Sequence, residues 1–135
     1  MPKKRIGRME FSVKDSIFGV NVHVLLNCDE EDLKKWYKKQ GVEEYSSQKL
    51  DPNFCGFSTF LTCRNAPDKY LIFINNYDWS IDSQETLIHE IIHTIFKIWD
   101  KSHSPVCMDT QEFFATTVGR MWSSIASEIW KRRKR

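Results

Sequence analysis

The chain of 135 residues fits one compact domain, since domains most often run to about 100–150 residues. Its hydrophobic and charged fractions, 41% and 28%, are those of an ordinary soluble globular protein. No apolar run reaches the about 20 residues of a bilayer span, and MPKKRIGRMEF has neither the apolar stretch nor the small-residue cleavage site of a secretory signal, so a cytoplasmic location is expected, without membrane. The net charge of +2 hides an asymmetry. Lys3, Lys4 and Arg5 stand at one end, and Lys131, Arg132, Arg133, Lys134 and Arg135 at the other. Without those eight, 12 of the 20 basic residues remain against 18 acidic ones, a body of about −6. The tail WKRRKR reads as a helix end whose cations suit the negative pole of the macrodipole. No aromatic interleaving supports base stacking, so nucleic acid is not the expected partner.

In chain order, RMEFSV (8–13) and VNVHVLLN (20–27) read as strands. Val20, Val22, Val24 and Leu26 would share one face, with His23 on the other. Asp29 can cap a helix through about Gln40, with acidic residues in its first turn and lysines in its last. Gly41 is placed to stop it. Residues 42–56 are polar, with a turn at Asp51-Pro52-Asn53. FSTFLTC (57–63) and YLIFI (70–74) read as strands joined by the turn-rich RNAPDK. Asp82 and Glu85 resemble a capping box opening a helix to about Trp99. KSHSPVCM (101–108) reads as a loop, and Asp109 opens a last helix to about Trp130. The order is α+β, a small sheet with helices packed against it in a single domain spanning 1–135. None of Cys28, Cys55, Cys63 and Cys107 forms a CxxC pair, so reduced thiols are expected.

LIHEIIHTIF (87–96) carries the chemistry. Residues four apart share a helix face, so His89 and His93 project side by side and can each give a nitrogen to zinc. Glu90, turned about 100° from His89, would stand beside the metal and act on a bound water without being a ligand. Apolar residues almost ring this helix, which is therefore expected to be central and buried. Two histidines and a glutamate there would be costly without partners. The bland alternative is two satisfied core histidines and a surface glutamate.

A catalytic zinc site usually takes a third protein ligand. His103, Cys107, Asp109 and Glu112 are the downstream candidates. Ala115, Thr116, Gly119, Ser123 and Ala126 lie near the stripe of Glu112, and small side chains would let the last helix approach the zinc helix closely. Against this, Asp109 and Glu112 also fit a capping box, with Asp109 as N-cap. His103 is either a solvated loop histidine or a proton donor or oxyanion stabiliser reaching over the metal. Cys107 is expected to be a small buried side chain.

The stretch from Thr86 to Ile95 resembles the extended zincin metallopeptidase signature. With Glu112 on a following helix, the chain resembles a minimal gluzincin. That resemblance implies His89, His93 and Glu112 as zinc ligands and Glu90 as general base, on a zincin-like sheet beside the HExxH helix and a C-terminal helix. In zincins an edge strand holds extended peptide by backbone pairing, and on that analogy Asn75, Asn76 and Tyr77, which follow the strand before the motif, lie near the cleft. The layout also resembles short HExxH proteins of bacteriophages and prophages, implying a host cytoplasm or a virion. The resemblance covers residues 84–119. Trp99 stands where metzincins place a third histidine, and Thr116 where larger gluzincins place an aspartate.

The expected function is a zinc-dependent hydrolase, a peptidase acting on peptide or protein substrate. The zinc would acidify its bound water towards about pKa 7, and Glu90 would pass the proton to the leaving amine. The alternative is a non-catalytic zinc-binding assembly or interaction protein, such as a phage structural component with a structural protein partner. Trp122, Trp130 and the basic tail could serve that partner, or the tryptophans could be ordinary core.

Overall fold

The computed structural model describes residues 6–41, 56–62 and 68–133. The elements are β1 (Met9–Lys14), β2 (Asn21–Leu26), α1 (Glu30–Lys39), β3 (Gly56–Leu61), β4 (Lys69–Ile74), α2 (Ile81–Lys101) and α3 (Gln111–Arg133). This is an α+β fold. The turn at Asp51-Pro52-Asn53, most of the RNAPDK connection, Cys55, Cys63 and the outermost basic residues (Lys3, Lys4, Arg5, Lys134 and Arg135) lie outside the described residues. Among the described residues no helix is long and apolar enough to cross a membrane.

The four strands are ordered β1-β2-β4-β3. β1 pairs antiparallel with β2, β2 parallel with β4, and β3 antiparallel with β4. Strand alternation sorts the side chains into two layers. Val22, Val24, Leu26, Tyr70, Ile72 and Ile74 face a core shared with Leu87, Ile91, Ile95 and Ile98 of α2 and Met121, Ile125 and Ile129 of α3. Leu25, Leu71 and Phe73 face the other way, onto Leu33 and Trp36 of α1. His23 lies on the α1 face as expected, its ring stacked on Trp36 at 6.0 Å.

α1 forms where Asp29 is expected to cap it, and the cap is a reciprocal box. Asp32 donates its backbone N–H to Asp29 Oδ1 at 2.9 Å, and Asp32 Oδ2 accepts from the Asp29 N–H at 2.9 Å. Gly41 ends the helix at φ +82°, a conformation that costs glycine little. α2 begins earlier than Asp82 suggests. Ser80 is its N-cap, and Ser80 Oγ accepts from the Ser83 N–H at 3.1 Å. Ser83 Oγ in turn donates to Asp78 Oδ1 at 2.7 Å, which ties the cap to the loop before it.

β4 is central, with a neighbour on each side, so the strand leading into α2 is not an edge. Its run from Tyr70 to Ile74 is buried on both faces, as a strand covered on both sides must be. Tyr77 likewise lies in the core at 2% exposure rather than in a cleft. Asn27 anchors it there, with its Oδ1 accepting from the Tyr77 N–H at 2.6 Å and its Nδ2 donating to the Tyr77 carbonyl at 3.0 Å.

The free edge on this side of the sheet, among the described residues, belongs to β3. The Ile74 carbonyl accepts from the Asn27 N–H, on the β2 side. Backbone polar groups alternate along a strand, so Leu71 and Phe73 turn theirs towards β3 and bond Thr59 and Phe57, the residues opposite them. Gly56, Ser58 and Phe60 therefore direct their N–H and C=O groups away from the sheet.

Candidate metal centre

α2 is not ringed by protein. Its Leu87, Ile91, Ile95 and Ile98 line is buried, while Ile88, Ile92 and Phe96 stand 39%, 42% and 53% exposed. His89 and His93 share this outward side. Their helical spacing brings the two Nε2 atoms to 3.0 Å, with ring centroids 4.6 Å apart. Glu90, one residue round the helix, points inward and is buried, 6% exposed. Its Oε1 lies 3.9 Å from His89 Nε2. His89, Glu90 and His93 offer ligand atoms all within 4.8 Å of one another, the one such group among the described residues.

The donor set fits zinc. Two nitrogens on a tetrahedral zinc, each at about 2.05 Å, stand about 3.3 Å apart, so the rings need to open only by a few tenths of an ångström. Among the described residues no hydrogen-bond donor reaches the Glu90 carboxylate. The residue is buried, but its carboxylate oxygens keep contact with solvent beside His89, where a base acting on water must stand. Its neighbour on the same stripe two turns on, Lys97, is half-buried. Burial pushes the Lys97 ammonium down from the ordinary lysine range, with the Glu90 charge pulling it back up.

Glu112 and His103 stand apart from this group. Glu112 sits exposed in the first turn of α3. It lines a hollow of about 250 Å³ with Ser16, Ile17, Phe113, Thr116 and Arg120. α3 packs on α2 and the sheet through Thr117, Met121, Ile125 and Ile129, helped by Phe114 and Trp122. The small-residue line of Ala115, Thr116, Gly119 and Ser123 faces solvent instead, because the bulky apolar line buries more surface. Asp109 lies before the helix, which starts at Gln111.

His103 terminates α2. Its φ is +56°, its N–H donates to the Asp100 carbonyl at 3.0 Å, and the Ser104 N–H donates to the Trp99 carbonyl at 2.9 Å. This is a Schellman closure with histidine in the glycine place. The exposed ring lies ten residues past His93, roughly 15 Å along the axis. Cys107 is exposed rather than buried, and its thiol is lowered by the hydrogen bond with Thr110. Trp122 packs against the core and donates Nε1–H to Gln84 Oε1 at 3.2 Å, whereas Trp130 is 48% exposed under the Arg133 guanidinium.

Sequence reasoning passed over Lys97 and Ser58. Lys97 Nζ donates to the Ser58 carbonyl at 2.9 Å and to Ser58 Oγ at 3.1 Å. The signal was present. Lys97 is the one charged residue between Ile91 and Trp99, seven residues past Glu90 and so on the same helix stripe.

No family model, curated protein or solved structure matches the chain.

Proposed function

We propose that the chain is a zinc-dependent hydrolase acting on peptides, with His89 and His93 holding the metal. One observation carries this reading. Two outward imidazoles present their nitrogens 3.0 Å apart, beside the carboxylate of a buried residue, which no hydrogen-bond donor among the described residues engages. A core built only for packing gains nothing from that carboxylate.

When bound there, zinc supplies Lewis acidity, polarising a carbonyl and acidifying water towards about pKa 7. The chain's own groups do the rest. Glu90, held by the buried side of α2, accepts the proton of the attacking water and delivers it to the leaving amine. The helix fixes Glu90 beside the imidazoles, which keeps proton donor and acceptor within reach. The edge of β3, free among the described residues, offers backbone groups to an extended peptide. Glu112 joins as third ligand only if its side chain leaves the Arg120-lined hollow and turns towards the histidines. The test is Glu90→Gln, which on this reading keeps zinc and loses hydrolysis of unfolded protein substrates. Undiminished hydrolysis in that variant sinks the mechanism.

The exposed apolar residues favour a second reading. Ile88, Ile92 and Phe96 on α2 and Phe113 on α3 are 39% to 65% exposed, and Phe96 meets Phe114 of α3 edge-on at 6.3 Å. A face of this kind suits a protein partner, as an assembly component of the phage type would need. Recovery as a higher-order assembly with zinc bound and no cleavage would support it.

A further inference from the structure

The edge of β3, free among the described residues, is overhung by cations of α2. Lys97 bonds the outward carbonyl of Ser58, and Lys101 lies 5.3 Å above the Phe60 ring. Neither lysine has a carboxylate within 4.0 Å among the described residues, while Lys34, Lys131, Arg8 and Arg132 all do. Lys97 is thus a half-buried cation bonded to neutral oxygens. Such a charge has lost water with only the more distant Glu90 charge to balance it, and a carboxylate in direct contact would restore what it lost.

Ser58 carries the second half of the observation. Its outward carbonyl is one an added strand would use, and Lys97 occupies it. An extended peptide pairing there takes the Ser58 carbonyl with its own N–H and releases one donor of the ammonium. Lysine has three donors, so it can hold Ser58 Oγ and turn another towards the incoming chain. At the other end of the stripe stands Glu90, which repels anions. This side of α2 is polarised, negative beside the histidines and positive beside Ser58 and Phe60.

We propose that the β3 edge binds an extended peptide bearing a carboxylate opposite Ser58, read by Lys97 with Lys101 in support. This rests on the peptide-hydrolase reading for its location, and it names the substrate class as acidic. An aspartate or glutamate side chain and a free C-terminal carboxylate share the chemistry.

The experiment measures fluorescence anisotropy of short labelled extended peptides on the full-length Glu90→Gln protein. The peptides carry Glu or Gln at the centre, each with a free or an amidated C-terminus. A carboxylate-bearing peptide is expected to bind about tenfold tighter than its neutral counterpart. A gain from central Glu identifies a side chain, and a gain from the free terminus identifies a C-terminal carboxylate. Adding Lys97→Met is expected to bring the ratio near one, and Lys97→Arg to preserve it, with circular dichroism showing that both fold. Equal binding of acidic and neutral peptides, no binding of any, or a preference that survives Lys97→Met overturns the proposal. Zinc-loaded wild type is incubated with the same peptides in parallel. Preference without cleavage removes the hydrolase and leaves the edge, whereas cleavage without preference does the reverse.

Discussion

Replacing Glu90 with methionine should make the protein more stable while ending its activity. The carboxylate is in a residue 6% exposed, with no hydrogen-bond donor among the described residues. Apolar replacement of buried charge is often worth about 1–4 kcal/mol, and the low end applies because the carboxylate oxygens keep solvent contact. Attraction from Lys97 offsets part of that gain, and Lys97 keeps its bonds to Ser58 when Glu90 is gone. Methionine matches the length of the side chain without a charge, so overpacking is small. A net gain of about 1 kcal/mol follows. For 135 residues, an unfolding entropy of about 2.1 cal/mol/K per residue is about 0.28 kcal/mol/K, so Tm should rise by about 4 °C. The assay is thermal unfolding of metal-free Glu90→Met and wild type, followed by far-UV circular dichroism. A Tm lowered by several degrees would mean that the carboxylate holds the fold together, and the functional reading of its burial would be wrong.

Zinc at about one hundred times its dissociation constant should stabilise the wild type by about 2.7 kcal/mol, or about 10 °C, and His93→Ala should abolish the shift in a dye-based melt. His103→Gly should raise Tm by about 2 °C without touching activity, because the left-handed φ of +56° suits glycine and costs histidine roughly 1 kcal/mol. Ile95→Ala, at a fully buried position, should cost about 3 kcal/mol and about 11 °C in the same melts. Burial raises the Cys28 thiol from 9.0 to about 11. A raised acid group keeps its contribution below pH 9 and loses it as pH climbs through 11, so denaturant titrations of wild type should fall by on the order of 2 kcal/mol more than those of Cys28→Ala.

Much of this fold was legible in the residues, and the failures are instructive. Alternation in NVHVLL and the Asp29 cap are local signals, and local forces decide them. The start of α2 went wrong because Ser80-x-x-Ser83 and Asp82-x-x-Glu85 both offer caps two residues apart. The Asp78 and Asn76 bonds to Ser83, invisible in a helix pattern, select the first. β4 was placed near an edge by analogy, although its unbroken apolar run from Tyr70 already argued for a central strand. The proximity of His89, Glu90 and His93 was legible because one helix fixes it. The place of Glu112 was not, since it depends on how α3 rotates about its axis. The line of Thr117, Met121, Ile125 and Ile129 sets that rotation, and a small-residue stripe cannot compete with it for burial. Lys97 and Ser58 met across tertiary structure, so only their helix phase was available beforehand.

The most direct measurement is metal content by elemental mass spectrometry, on wild type, His93→Ala and Glu112→Ala purified without chelator. About one zinc per chain in wild type and almost none in His93→Ala is the predicted result. Retention in Glu112→Ala would leave the metal on the histidine pair with a ligand other than Glu112, and loss would bring Glu112 into the site. No zinc in the wild type, even after adding it back, would contradict the account and leave His89 and His93 as two neighbouring surface histidines.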